Sequence, residues 1–136
     1  MASALYDTGR NEFAKGYFKW RASGGDPFNC SLVKTTYTPN AATHTLYTDI
    51  TTGSYLVGTT GPLTLIDPTA GVCDANDITY STVTGAAVDK VVLYILATVD
   101  SVVNPLMCWI EFSSVTPNGG DITIQWDSGS NKIFKL

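Results

Sequence analysis

The sequence predicts an all-β chain: a jelly-roll-like β-sandwich with a short N-terminal helix. Three observations predict it. Apolar or alternating runs of strand length recur along the chain, with Gly, Pro, Asn and Asp clusters between them at near-regular spacing. Helix signals are confined to the first residues and one brief stretch further on. Only 15% of the 136 residues are charged, against about 25% in a typical domain. Thr, Ser, Asn and Gly must then carry the polar surface, and these residues favour strands and turns. The length predicts one domain, residues 1–136, which buries roughly two-thirds of its unfolded surface on folding.

The elements follow in order. "SALYDTGRNEFAKG" predicts a helix over residues 3–16, with Ser3 as N-cap, Gly16 as stop and Gly9 as a weak point inside it. "YFKWR" (17–21) alternates as a strand does. "FNCSLVK" (28–34) follows the turn "SGGDP" and reads as a second strand. "ATHTLYTDI" carries a short helical turn, capped by Thr43, with Leu46, Tyr47 and Ile50 on one side. It lies within a polar, Thr-rich excursion across the surface. "SYLVGTT" and "PLTLI" are strands divided by Gly61-Pro62, and "DITYSTV" (77–83) follows the turn-rich "DPTAGVCDAN". "VDKVVLYILATV" (88–99) is almost wholly apolar, which predicts a strand at the centre of a sheet, buried on both faces. "PLMCWIEFS" (105–113) alternates and is its hairpin partner. For the closing stretch, face-matching predicts a hairpin with Ile124 opposite Phe134, a loop at Ser128–Ser130, and Leu136 packed.

The charge pattern limits the function. Net charge is −4 and the pI is about 4.6, which speaks against nucleic acid, since phosphate binding needs a basic surface. Residues 1–34 carry a local balance of +2 (Arg10, Lys15, Lys19, Arg21 and Lys34 against Asp7, Glu12 and Asp26). Residues 35–136 carry three basic and nine acidic side chains, a balance of −6. The longest apolar run, Val91 to Val99, is far too short for a membrane-spanning helix, and no secretory leader pattern opens the chain. Cys30, Cys73 and Cys108 form neither a disulfide framework nor a zinc pattern. They read as small, reduced core residues of an intracellular product.

Motifs for chemistry are lacking. His44 is the single histidine, and no G-x-S-x-G elbow supplies a serine for it, so it reads as a surface or capping residue. Asp67, Asp74 and Asp77 meet a calcium-loop spacing only in part, with Ile78 at a ligand position. They read as turn residues. Trp20, Trp109 and Trp126 read as core or interface anchors before sugar platforms. The sequence therefore assigns no catalytic residue, no metal and no cofactor. Its candidate docking segment is the positive N-terminal stretch, residues 1–16 with the strand that follows. Leu5, Tyr6, Arg10, Phe13 and Trp20 are the side chains offered to a neighbour.

Four stretches resemble one family. "ALYDTGRNEFAKG" is similar to the opening L-Y-D-x-G-R-x-x-F of a group of small structural proteins of tailed bacteriophages. "TPNGGDITIQWDSGSNKIFKL" resembles that group's close, with its P-N-G-G-D, W-D-x-G and I-F elements. "ATHTLYTDI" resembles its A-T-H-x-x-x-x-D-I element, and "DANDITY" its acidic turn before a strand. The resemblance runs end to end and is thinnest over residues 85–110. It implies a virion component without enzymatic activity, assembled in the host cytoplasm. A capsid decoration (cement) protein on the major capsid protein shell, present as a dimer or trimer, is the first reading. A tail- or fibre-associated, receptor-binding protein is the alternative. Neither reading involves a membrane.

Overall fold

The computed structural model describes residues 3–59, 61–130 and 132–136. The chain is an all-β sandwich with a short N-terminal helix. Its elements in order are β1 (Ala4–Leu5), α1 (Asp7–Ala14), β2 (Phe28–Lys34), α2 (Thr48–Thr51), β3 (Leu56–Thr59), β4 (Leu65–Thr69) and β5 (Val72–Ala75). There follow β6 (Ile78–Tyr80), β7 (Val88–Ile95), β8 (Thr98–Val99), β9 (Val102–Val103), β10 (Leu106–Val115), β11 (Ile122–Ile124) and β12 (Phe134–Lys135).

The main layer is a five-stranded antiparallel sheet in the order β1-β10-β7-β2-β3. The apolar run 88–95 sits at its centre. Leu93 lies between Cys30 of β2 and Cys108 of β10. With side chains alternating across the strand, Val91, Leu93 and Ile95 face one core while Val92 and Tyr94 face a second. The first core is closed by two small sheets, β12-β5-β4 and β11-β6, together with Phe18 and Trp20. The second is closed by the Thr-rich connection after β2, whose Tyr37, Tyr47 and Ile50 are buried. The surface excursion expected there is thus the cover of a sheet face. Its short turn is α2. Thr43 does not cap it: the N-cap residue is Tyr47, without a side-chain cap bond, and Asp49 Oδ2 ties the approach to the helix by accepting from the Thr45 and Leu46 amides at 2.8 and 2.9 Å.

Strict alternation along 105–113 does not survive. A register shift between Leu106 and Cys108 sends Leu106 and Trp109 to the second core, and Cys108 with Ile110 and Phe112 to the first. A β-bulge has this effect, because one extra residue inverts the facing of everything beyond it.

The N-terminal segment corrects the sequence reading in two ways. Ser3 is no N-cap. Its Oγ accepts from the Glu111 amide at 3.0 Å, and Ala4–Leu5 pair with Trp109 and Cys108 before the helix begins at Asp7. Residues 17–21 form no strand. They enter a loop closed by mutual bonds between Lys19 and Asp26, while Phe18 and Trp20 still point into the core. Gly16, at φ +81°, does stop the helix.

The closing hairpin is the largest correction. Ile124 pairs with Ile78 and Ile122 with Tyr80, whereas Phe134 pairs with Cys73. Ile133 is buried, Phe134 is half-buried, and Leu136 is 60% exposed. The Ile124–Phe134 register is locally well matched, but a lone two-stranded hairpin is marginal. Pairing β11 with β6 and β12 with β5 joins both strands to edges already packed on the core. β5 lies in the stretch "DPTAGVCDAN", which the sequence predicts as turn. It forms a hairpin with β4 through Ala70 and Gly71, at φ +55° and +79°, the two left-handed residues that such a turn requires.

Gly9 fixes how α1 meets the sheet. A Cβ there would lie 2.4 Å from the main-chain oxygen of Met107, and the preceding Tyr6 amide donates to that same oxygen at 2.9 Å. Gly9→Ala improves helix propensity by about 1 kcal/mol, yet the clash is with backbone. The variant is expected to be destabilised by about 1–3 kcal/mol, read as a lower urea midpoint.

Burial also sets a pH dependence. Burial pushes the Cys30 thiol up to about 12 and Cys73 to about 11, and raises Cys108 strongly. It pushes the Tyr37 and Tyr94 phenols up to about 12 and Tyr6 further still. Above the ordinary values of 9.0 for a thiol and 10.0 for a phenol, the unfolded chain releases protons that the folded chain keeps. Stability is therefore full below 9.0 and falls as pH rises toward the folded values. Urea midpoints measured on both sides of pH 9.0 should drop on the alkaline side, with tyrosine ionisation appearing together with unfolding.

Candidate docking groove between the layers

The two layers part along one edge. Among the described residues, β1 pairs with β10 at Cys108 and Trp109 alone, and β11 has no strand on its second edge. Between them lies an open groove of about 390 Å³. Ile110, Phe112 and Val115 line one wall; Ile122, Ile124 and Trp126 line the other. Val115 is 40% exposed, and the other five are partly buried. Glu111, Gln125, Asp127 and Lys132 stand around it.

Trp126 is held in place. Its indole N–H donates to the Asn76 carbonyl at 3.0 Å, and its amide donates to Asp77 Oδ1 at 2.9 Å. The ring is thereby fixed to the β5–β6 connection. The rim is fixed too, because Asp127 Oδ1 accepts from the Gly129 amide at 2.9 Å. A rigid, amphipathic aromatic in an apolar cleft suits it to receive another chain's apolar side chains or the face of a sugar ring. The groove holds no serine, cysteine or histidine.

The side chains expected to dock on a neighbour are mostly engaged within the chain. Tyr6 is fully buried against Trp109, ring centroids 4.8 Å apart. Trp20 is buried against Phe28 and Phe134, at 4.8 and 5.2 Å. Leu5 and Phe13 pack on the first core. Arg10 alone extends outward, 2.8 Å from Asp7 in a half-exposed ion pair. Periodicity marked these residues as apolar, but the neighbour they meet is their own sheet. Trp109 belongs to the second core, so of the three tryptophans only Trp126 lines the groove. The sequence singled out Trp126, while the wall it shares with β10 depends on a packing that no local pattern encodes.

The remaining candidates lie apart from the groove or serve as ties. Asp67 Oδ1 accepts from the Ala22 amide at 2.7 Å, and Asp74 Oδ1 from Ala75 at 2.9 Å. With Asp77 on Trp126, the three carboxylates serve three different backbone amides. Among the described residues no group of three His, Cys, Asp or Glu is placed to hold a metal. Cys30, Cys73 and Cys108 are buried and take part in no disulfide.

His44 caps a buried chain of hydroxyls. Its Nδ1 accepts from the Asn40 amide at 3.2 Å and lies 3.0 Å from Tyr37 Oη, which lies 2.6 Å from Tyr6 Oη. Nδ1, taken up as an acceptor by the amide, accepts from Tyr37 as well, and Tyr6 then donates to Tyr37.

The same usage extends across the recurring motifs. In "LYDTGRNEF", Tyr6 and Phe13 are core residues and Gly9 rests on Met107. In "PNGGD", Asn118 Oδ1 accepts from Gly120 and Asp121 Oδ1 accepts from Thr82. Asp49 and Ile50 close the middle element, and Ile133 and Phe134 the last. Compared with protein-family models, curated proteins and solved structures, the chain shows no match.

His44→Ala removes the acceptor for the Tyr37 hydroxyl. A loss of about 1–3 kcal/mol is expected, the cost of one buried hydroxyl proton left without an acceptor, and adding both Tyr6→Phe and Tyr37→Phe to His44→Ala should recover part of it, since Tyr37→Phe alone would strand the buried Tyr6 hydroxyl. Urea denaturation of both variants checks this.

Proposed function

We propose that this chain is a non-enzymatic structural protein of a tailed-bacteriophage particle, a decoration protein seated on the shell of major capsid protein as a dimer or trimer. One observation carries the reading. The motif residues that link it to that group of virion proteins act here as turn caps, core side chains and a helix contact, so the motifs specify an architecture and not a reaction. The open groove at the sandwich edge supplies an attachment surface, with the fixed Trp126 as an anchor and Phe112 across from it for apolar side chains of the shell. The acidic, charge-poor composition suits contact with protein over nucleic acid.

A tail- or fibre-associated protein is the second reading. It is favoured by the fixed, partly exposed Trp126 among Glu111, Gln125 and Asp127, an arrangement able to stack on a sugar ring and bond its hydroxyls.

Quantitative gel analysis of purified particles separates the two. A decoration protein is expected in near-stoichiometric ratio to the major capsid protein, and Trp126→Ser should strip it from the shell while leaving a folded chain. A copy number far below that of the shell subunit moves the assignment to the tail. Absence from purified particles overturns both.

A further inference from the structure

A second recess, lined by other residues, lies where α1 meets the β8–β9 hairpin and encloses about 490 Å³. Thr8, Asn11 and Glu12 line it from α1, Leu46 from the connection before α2, and Val102 and Val103 from β9. Two features there are left unmatched among the described residues.

The first is electrical. The Glu12 side chain is 4% exposed. Its Oε1 accepts from Lys15 at 3.1 Å, but its Oε2 is buried with no hydrogen-bond partner among the described residues. Lys15 is shared, since its ammonium also lies 3.0 Å from Asp100 Oδ2. Two carboxylates thus divide one cation, and a negative charge stays uncompensated in a buried setting where such a charge is costly. The second feature is apolar. Val103 is 57% exposed, with Leu46 and Val102 partly exposed beside it. The hairpin that presents the valines turns through Asp100 and Ser101, both left-handed at φ +50° and +61° without glycine, a conformation that ordinary side chains seldom adopt.

We infer that this recess is a socket for a basic side chain of a partner protein, a cation on an aliphatic stem as in lysine. The ammonium supplies the opposite charge that Glu12 and Asp100 share too thinly, and the methylene stem covers Val102, Val103 and Leu46. The charge acts without direct contact with the buried Oε2, because Coulomb attraction in a partly desolvated recess reaches over several ångströms. The inference deepens the assembly reading by naming the chemistry of a contact, and it rests on that reading only for the source of the cation.

The probe is n-butylammonium, a lysine side chain without its backbone, titrated into the labelled full chain and followed by amide chemical shifts. Saturable shifts are expected at Thr8, Asn11, Val102 and Val103, with a dissociation constant on the order of millimolar for so small a ligand. n-Butanol, similar in shape but uncharged, should give none. Glu12→Gln and, at the more exposed carboxylate, Asp100→Asn should each weaken the response at least several-fold, so a folding defect in the first leaves the second as the test. No saturable shift, an equal response to butanol, or a response unchanged in the folded variants overturns the socket. Particle stoichiometry does not enter this measurement, so the socket and the virion reading fail separately.

Discussion

The constraint on which the rest depends is that β7 is buried on both faces. Val88 and Lys90–Ile95 are all buried, so the sheet cannot leave one face to water as an ordinary antiparallel sheet does. Two covers are needed, and the chain makes them from different material. The first face receives strands, and their Leu65, Cys73, Ala75 and Tyr80 complete an apolar core. The second receives an irregular connection, which must satisfy its own polar groups. It does so with hydroxyls: Tyr47 stacks on Tyr94 at 3.7 Å and shares hydrogen bonds with Ser31 and Thr59, while Tyr37 joins Tyr6 and His44. A tyrosine-rich cover fits a face that meets coil, since each ring fills volume while its hydroxyl reaches a partner.

The same constraint explains why the N-terminal segment is part of the body. β10 flanks β7 and needs an outer neighbour. β1 supplies two residues of pairing and Gly9 then brings α1 directly onto the Met107 carbonyl. Tyr6 enters the second core and Phe13 the first, so one short segment closes both layers at that edge. Among the described residues, β1 pairs no further than Trp109, Ser3 adds one bond to the Glu111 amide, and the edge then opens into the groove lined by Phe112 and Trp126. The candidate attachment surface thus begins where the chain's own covering strand ends.

Both candidate surfaces arise where the cover of the sandwich is incomplete among the described residues. The groove leaves apolar side chains partly exposed, and the recess at α1 leaves a carboxylate partly compensated. Under the proposed reading, an apolar protein surface would complete the first and a basic side chain the second. The polar residues that a catalytic reading would draw on are engaged as backbone ties, from Asp67 on Ala22 to Asp77 on Trp126.

The sequence by itself determined the all-β class, a central strand within 88–99 with its hairpin partner within 105–113, a strand at 28–34, and the helix stop at Gly16. Each follows from local pattern: apolar runs of strand length, alternation, or a glycine at positive φ. It also marked Trp20, Trp109 and Trp126 as anchors, and Tyr6 and Phe13 as side chains offered to a neighbour. Only the tertiary structure decided what they anchor. Tyr6, Phe13 and Trp20 turned inward, Trp126 lined a groove, and the closing strands left their local match to pair with β5 and β6. The reason is physical. Alternation specifies which face of a segment is apolar, but a strand's partner depends on which edges elsewhere are free and already packed. That is a long-range property of the assembled core.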